Sequence, residues 1–204
     1  MSSCQQNSYH DGIVSVMSKE VKELFENGPV VLSREKFVDD RGSFEMIFQN
    51  TELRRCFPQI PELLQINAIW AHGGALRGVH AAPLSENHWK VITCVLGSVR
   101  DAVVDLRAKS ASFGELITVD ISADEPGTLI IPPGFGHAVQ GLSPESLVVY
   151  GTNVEYANNK EYEINPVNST WVDHWNKPII LSKRDELAPS FAEFQRRSSL
   201  SEEI

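Results

Sequence analysis

Short apolar runs rich in Val, Ile, Thr, Phe and Leu follow one another from residue 30 to residue 156. Gly, Pro, Asp and Ser interrupt these runs every few positions, as they do between strands joined by turns. Gly97 and Ser98 separate two alternating runs and predict a two-residue hairpin turn. Six or more strands without intervening helices predict an all-β fold, an antiparallel sandwich or barrel. The runs predicted as strands are 90–96, 99–107, 114–121, 127–131 and 146–152.

Two segments show helical rather than alternating spacing of apolar residues. The first is 13–25, which predicts an amphipathic helix packed on a sheet or on a partner subunit. The second is 187–197, with Pro189 in its first turn. We therefore predict an N-terminal tail and short helix over 1–29. A single domain follows over 30–204 and includes the C-terminal helical segment.

Composition narrows the class of protein. The 204 residues are 42% apolar and 22% charged, which is ordinary for a globular chain. A net charge of −9 without a basic stripe argues against nucleic-acid binding. No apolar run reaches the roughly 18 residues of a membrane span. The polar N-terminus lacks a signal-peptide core, and three cysteines without metal spacing fit a reducing compartment. We expect a cytoplasmic protein with no nucleic-acid or membrane partner.

Three arginines and two histidines are the first candidates for chemistry. Arg41 and Arg77 each precede a glycine, and Arg107 ends a strand-like run. Glycine lets the backbone approach an anion while the guanidinium forks onto it, although an ordinary surface arginine beside a turn gives the same pattern. His80 and His137 lie in apolar sequence, where a histidine is either a core residue or part of a site.

His137 follows a Pro-x-Gly turn, an arrangement similar to the second motif of cupin barrels. Metal-binding cupins carry a His-x-His pair and a carboxylate in the first motif. Here that region offers His80 followed by Ala81 and Ala82. Two histidines without a third nitrogen ligand make a poor zinc or iron site, so we predict a barrel with no metal and no other cofactor.

Taken in order, the motifs resemble one family, the dTDP-4-dehydrorhamnose 3,5-epimerases, which are metal-free cupins acting on nucleotide-linked 4-keto sugars. The resemblance extends over about residues 30–194 and implies a cupin-type antiparallel β-barrel, or jelly roll, with short flanking helices. The matching motifs are Asp40-Arg41-Gly42-x-Phe44, Gln65-x-Asn67, Leu76-Arg77-Gly78-Val79-His80, Lys90-Val91, Val103-Val104-Asp105-Leu106-Arg107, Ile131-Pro132-x-Gly134-Phe135-x-His137 and Leu181-Ser182-x-x-Asp185.

The resemblance implies an acid–base mechanism through an enolate. His80 would be the general base, and Asp185 would hold its imidazole in one tautomer. Lys90 would lie near the developing enolate oxygen, and Tyr150 would return a proton from the opposite face. Inversion needs a base on one face and an acid on the other, and a donor at the carbonyl oxygen stabilises the intermediate.

The resemblance also implies a substrate-binding set and an assembly. The family pattern includes a homodimer with swapped N-terminal strands, so Arg41 can serve the neighbour's site. The residues implied to bind the nucleotide-linked keto sugar are Arg41, Phe44, Gln65, Asn67, Arg77, His137, Tyr156, Glu161 and Arg184.

The sequence departs from the family pattern where the base and sugar would bind. Met46 stands where the family has a glutamate, and Glu45 lies one residue early. Ala68–His72 replaces a serine-rich segment. The nucleotide therefore stays open among thymidine, cytidine, guanosine and uridine. The sugar stays open between a deoxy sugar and a heptose, with inversion at one carbon or at both. Other functions left open are a sugar 3,4-ketoisomerase, a non-catalytic sugar-nucleotide-binding cupin and a metal-dependent cupin oxygenase.

Overall fold

Strands are the main secondary structure of the chain. The computed structural model describes residues 20–155, 161–168 and 170–198. The strands in these ranges are β1 Val21–Glu23, β2 Val30–Ser33, β3 Lys36–Asp39, β4 Gly42–Glu45, β5 Gln65–His72, β6 Leu76–Ala81, β7 Lys90–Leu96, β8 Ser98–Asp105, β9 Leu116–Ser122, β10 Gly127–Ile131, β11 Phe135–Gly141, β12 Glu145–Thr152 and β13 Tyr162–Glu163.

The helices are short and flank the strands. The α-helices are α1 Asn50–Cys56, α2 Lys183–Leu187 and α3 Phe191–Ser198, and single 3-10 turns occupy Leu84–Glu86 and Val172–His174. None of the helices in the described ranges has the length and hydrophobicity that a bilayer crossing requires.

Two antiparallel sheets form the body of the molecule. One has six strands in the order β1-β2-β10-β7-β12-β5, and the other has five in the order β13-β6-β11-β8-β9. Strands β3 and β4 form a separate two-stranded hairpin. Because neighbours in each sheet are mostly distant in sequence, long-range pairing holds the barrel together. The predicted all-β antiparallel barrel with short flanking helices is confirmed.

Apolar side chains fill the space between the sheets and cover both outer faces. The inner cluster is supplied by both sheets and includes Ile92, Leu129, Val103 and Val139. Outside the five-stranded sheet, the C-terminal segment packs Trp171, Trp175 and Phe194 onto strand residues. Outside the six-stranded sheet, α1 and the following loop add Leu53 and Phe57, which pack with Trp89 from the segment before β7.

The predicted hairpin at Gly97 is wrong. The runs 90–96 and 99–107 correspond to β7 and β8, but these two strands lie in different sheets. Gly97 has a φ of 67°, and a side chain there would meet the Glu145 carbonyl. The chain therefore crosses from one sheet to the other at a crowded corner that only glycine fits. The short-range turn signal was correct, and the pairing partner was not.

The predicted helix over 13–25 is also wrong where it can be checked. Residues 13–19 lie outside the described residues. Strand β1 occupies part of the remainder, with Val21 opposite Leu32 of β2. Phe25 is buried against Phe135, with ring centroids 5.5 Å apart. The segment forms backbone hydrogen bonds with β2 instead of a helix, because tertiary pairing overrides a weak helical pattern.

The predicted C-terminal helix over 187–197 divides into two. Helix α2 ends at Leu187, and Ala188 takes an extended conformation with φ −61° and ψ 150°. Proline disfavours a helical residue before it, so Pro189 ends α2 rather than beginning a continuous helix. Helix α3 then begins at Phe191, whose ring lies 4.8 Å from that of Trp171.

Candidate active site

A cavity of about 530 Å³ opens between the two sheets. It brings together ten of the residues predicted to form the site. These are Gln65, Asn67, Arg77, His80, Lys90, His137, Tyr150, Glu161, Arg184 and Asp185.

Strand register places one wall of the cavity. In the six-stranded sheet, Gln65 lies opposite Thr152, which lies opposite Lys90. Two residues along each strand, Asn67 lies opposite Tyr150. Side chains alternate in a strand, so residues two apart share a face. The wall is therefore polar near the ends of these strands. Farther along them, the cavity is lined by Ile69, Val148 and Ile92.

The opposite wall comes from the five-stranded sheet. His80 of β6 lies opposite His137 of β11, and a register shift follows between His137 and Val139. This irregularity lets Arg77 and His80 both line the cavity, although they are three positions apart. Gly78 between them has a φ of 100° and packs against the His137 carbonyl, where no side chain fits.

His80 and Asp185 form a partly buried hydrogen-bonded pair. His80 Nε2 lies 2.7 Å from Asp185 Oδ1. Ser182, the N-cap of α2, donates its hydroxyl to Asp185 Oδ2 at 2.8 Å. Burial favours a raised pKa for Asp185, but hydrogen bonds from His80 and Ser182 and the Arg184 charge outweigh it and lower the pKa. An ionised Asp185 keeps the proton on Nε2 and leaves Nδ1 of His80 free as a base.

A second pair, His137 and Asp101, has similar geometry. His137 Nε2 lies 2.6 Å from Oδ1 of Asp101, which is fully buried. Burial lowers the pKa of His137 more than Asp101 raises it, and Lys90 and His80 lower it further. His137 therefore stays neutral at neutral pH and offers hydrogen bonds rather than charge. Asp101 was not predicted from the sequence. The signal that marks Asp101 is its position on β8, the strand that pairs with β11, where His137 lies.

Lys90 and Glu161 form an ion pair in the cavity. Lys90 Nζ lies 3.5 Å from Glu161 Oε1. Burial lowers the pKa of Lys90, and Glu161 opposes that shift. Burial on its own raises the pKa of Glu161, whereas Lys90, His80 and His88 hold it below its usual value. The pair places a cation inside the barrel with one carboxylate as its partner.

Tyr150 is the remaining titratable group of the predicted catalytic set. Burial and the Glu161 charge raise its pKa, and Arg77 partly offsets them. Its hydroxyl is therefore protonated at neutral pH and can act as an acid. Tyr150 belongs to the six-stranded sheet and His80 to the five-stranded sheet, so the two lie on opposing walls.

Two of the described residues that were predicted for the site do not line this cavity. Arg41 and Phe44 lie on the β3–β4 hairpin. The side chain of Arg41 is 90% exposed, and Phe44 as a whole residue is 68% exposed. Arg41 pairs at 2.6 Å with Asp39 of the same hairpin. Tyr156 lies outside the described residues. Arg107, the other arginine considered, points its guanidinium at buried Asp105 and stacks on Phe135.

The one-residue shift at Glu45 has a structural consequence. Glu45 Oε2 lies 3.1 Å from a guanidinium nitrogen of buried Arg34. Phe44, the preceding residue, is largely exposed. Adjacent strand residues face opposite sides, so Glu45 is a partner of Arg34 and does not substitute for a glutamate at position 46.

Within the described ranges, no three His, Cys, Asp or Glu side chains come together in a way that could hold a metal ion. The polar lining includes a His–Asp pair, a lysine, a tyrosine and amide groups. Such a set can remove a proton from carbon, stabilise an oxyanion and return a proton.

Residues 26–193 match the family model of dTDP-4-dehydrorhamnose 3,5-epimerase. The chain belongs to this family. A dTDP-4-dehydrorhamnose 3,5-epimerase from Streptomyces griseus is 34% identical over 80% of this chain and 82% of its own.

Solved structures of epimerases share the barrel. One from Mycobacterium tuberculosis superposes with a TM-score of 0.82 at 29% identity, covering 88% of this chain and 92% of its own. A 3′-monoepimerase from Streptomyces bikiniensis, in complex with dTDP-quinovose, gives a TM-score of 0.78 at 30% identity. The alignment with the monoepimerase covers 84% of this chain and 87% of the monoepimerase. Together they confirm the predicted cupin-type jelly roll and the predicted family.

Proposed function

We propose that this protein is an epimerase that inverts C3, C5 or both of a nucleotide-linked 4-keto-6-deoxy sugar. The single observation that carries the proposal is the convergence of His80–Asp185, Lys90 and Tyr150 in one cavity. The named relatives act on this class of substrate, which agrees with that geometry.

His80 is the proposed base. A carbon next to a ketone is weakly acidic, and a general base within reach of its proton typically contributes 10²–10⁴-fold. Asp185 accepts a hydrogen bond from the Nε2–H of His80, so Nδ1 is the nitrogen that takes the proton from carbon. Asp185 also stabilises the imidazolium that this transfer creates.

Lys90 is the proposed partner of the enolate oxygen. Negative charge moves onto the carbonyl oxygen as the carbon loses its proton, and a fixed cation in a dry site stabilises that charge. Tyr150 then gives its proton to the other face of the carbon. The placement of Tyr150 and His80 on opposing walls supports inversion rather than return of the proton to the same face.

Arg77, Arg184, Gln65, Asn67 and His137 are the proposed binding residues for the nucleotide sugar. Guanidinium groups suit a diphosphate because their paired donors match its oxygens. We propose a thymidine diphosphate sugar, since relatives of both kinds carry that nucleotide in their names. The relatives include a 3,5-epimerase and a 3′-monoepimerase, so inversion at two carbons or at one is open for this protein. The experiment below distinguishes the two.

We further propose that the active form is a homodimer with exchanged hairpins. Large apolar side chains are exposed along β5 and on the β3–β4 hairpin, and contiguous exposed apolar surface is typical of interfaces. The exposed apolar residues in these two places are Leu64, Ile66, Trp70, Val38 and Phe44. Exchange would carry Arg41 and Phe44 to the neighbour's cavity. A cytoplasmic location completes the proposal, in keeping with free Cys56 and Cys94.

Proton NMR in deuterated water with dTDP-4-keto-6-deoxyglucose tests the function. Exchange of deuterium into C3 and C5 supports a 3,5-epimerase, and exchange at one carbon supports a monoepimerase. We expect His80→Ala to lower the exchange rate by at least about 100-fold. A carbonyl that moves from C4 would instead indicate a ketoisomerase. No exchange with dTDP-, CDP- or GDP-linked keto sugars contradicts the proposal.

A further inference from the structure

His88 lies in the wall of the cavity, two residues before Lys90. Sequence analysis did not single it out, because it stands in an unremarkable polar segment between Asn87 and Trp89. The same histidine also borders a small recess beside Pro83. It is the third histidine among the residues that line the cavity, after His80 and His137, and it lies close in sequence to Lys90.

The backbone on both sides of His88 is fixed by its neighbours. The Trp89 backbone N–H donates to Asn153 Oδ1 at 2.7 Å, and its indole donates to Asn87 Oδ1 at 3.1 Å. The Asn153 amide donates to the Asn87 carbonyl at 3.0 Å. Trp89 is buried against Phe57, with ring centroids 5.1 Å apart. Because Trp89 is anchored in the outer core, the segment leaves the His88 ring on the cavity side.

The ring of His88 has an unmet hydrogen-bonding group. Its Nε2 is buried and has no partner in the protein. Burial and the charge of Lys90 lower its pKa to about 4, against the opposing effect of Glu161 and Glu86. The imidazole is therefore neutral at neutral pH, so it neither repels Lys90 nor competes with it for Glu161. A buried polar atom without a partner is unfavourable unless a ligand supplies one.

We propose that His88 is a substrate-binding residue that hydrogen-bonds, as a neutral imidazole, an oxygen of the sugar beside the one that Lys90 approaches. The inference rests on the proposed function for the identity of the ligand. It assigns His88 to the sugar rather than to the nucleotide, because its charged neighbours are Lys90 and Glu161 of the catalytic cluster.

The test compares binding of two ligands by calorimetry. One is dTDP, and the other is dTDP-6-deoxyglucose, which lacks the ketone and therefore cannot react. His88→Phe keeps a planar ring without a nitrogen, and His88→Gln keeps a hydrogen-bonding group. His72→Phe is the control, since His72 is exposed on β5 and does not line the cavity.

We expect His88→Phe to weaken binding of dTDP-6-deoxyglucose by about three- to tenfold, the range for one neutral hydrogen bond. Binding of dTDP should stay unchanged, and His88→Gln should recover most of the loss. His72→Phe should bind both ligands as the original protein does. A general structural defect would weaken both ligands alike, and that result overturns the inference.

Unchanged binding of the sugar nucleotide by His88→Phe also overturns it, as does an equal loss in His88→Gln. The proposed catalysis is tested separately by deuterium exchange. If the original protein binds the sugar nucleotide through His88 but exchanges no deuterium, the binding role stands and the proposed epimerase activity fails.

Discussion

Asp185 is a small carboxylate with two hydrogen-bonding partners, His80 and Ser182. Its lowered pKa keeps it ionised throughout the neutral range. Its proposed part in the reaction is indirect, because it holds a proton on one nitrogen of His80. It is therefore a positioning residue, and its replacement should alter turnover more than binding.

We predict that Asp185→Asn lowers kcat by about 10²–10⁴-fold with less than a threefold change in KM. An amide can donate to Nε2 and thereby favour the tautomer in which Nδ1 carries the proton. Steady-state kinetics with the keto sugar measures both constants. Asp173→Asn, on the 3-10 turn Val172–His174, is a matched control outside the cavity. A kcat within threefold of the original would show that the tautomer of His80 does not depend on Asp185.

Glu161 gives a prediction about pH. It raises the pKa of Lys90 against the effect of burial, so Lys90 in Glu161→Gln should lose its proton at a lower pH. In the proposed mechanism protonated Lys90 stabilises the enolate, so the alkaline fall in kcat/KM should shift to lower pH in the variant. A pH profile from 6 to 10 measures this shift. An alkaline limb that stays in place or moves upward contradicts the proposed role of the pair.

At the scale of single residues, the sequence was informative where a motif carried chemistry. His80, Lys90, Tyr150 and Asp185 were predicted from a resemblance, and the fold brings them into one cavity. His88 was missed because a lone histidine in a polar segment gives no pattern. Only the packing of its neighbour Trp89 shows which side of the segment it faces.

At the scale of elements, the turn after β8 depends on Asp105. This fully buried carboxylate accepts hydrogen bonds from Arg107 at 2.9 and 2.7 Å. The hydroxyls of Ser110 and Ser112 donate to it at 2.6 Å each. Burial favours a raised pKa, but these hydrogen bonds lower it to about 2. The Asp-Leu-Arg motif is therefore a structural anchor that joins β8 to the following turn.

We predict that Asp105→Asn destabilises the fold by on the order of 2 kcal/mol at pH 7, from the lowering of its pKa from 3.8 to about 2. A depressed carboxyl pKa stabilises the native state above pH about 4, and this contribution is lost as the pH falls toward 2. Urea unfolding at pH 7, 4 and 3 should show the difference between the two proteins shrink with acid. Asp120→Asn, which breaks an exposed pair with Arg100, should cost less than about 1 kcal/mol.

The errors in predicting elements have a common cause. The alternating runs beside Gly97 located two strands but could not show that they enter different sheets, because that choice depends on pairing with β10, β11 and β12. The segment at Val21 became a strand for the same reason. Local pattern shows that a strand forms, while its partner is set by contacts far along the chain.

At the scale of the whole molecule, the exposed apolar stripe on β5 requires an explanation. Ile66 and Trp70 are 64% and 57% exposed on the edge strand of the larger sheet. If two copies pair there, Trp70→Lys should shift the protein from dimer to monomer. Light scattering during size-exclusion chromatography measures the mass. A variant that keeps the mass of the original would place the interface elsewhere.

Complementation between two inactive chains tests whether the hairpin is exchanged. One chain carries His80→Ala and the other Arg41→Ala, and we expect each alone to have low activity. If Arg41 serves the neighbour's cavity, a mixed dimer has one site with both residues intact. Random mixing makes half of the dimers mixed, so activity should recover to about a quarter of the original.

The opposite arrangement gives a different number. If Arg41 serves the cavity of its own chain, no mixed dimer has an intact site, and activity stays at the average of the two variants. The two chains are mixed after unfolding and refolding, with the original protein treated identically as the control. In a single chain Arg41 pairs with Asp39 and does not line the cavity, and the proposed exchange of the hairpin would bring Arg41 to the neighbour's site.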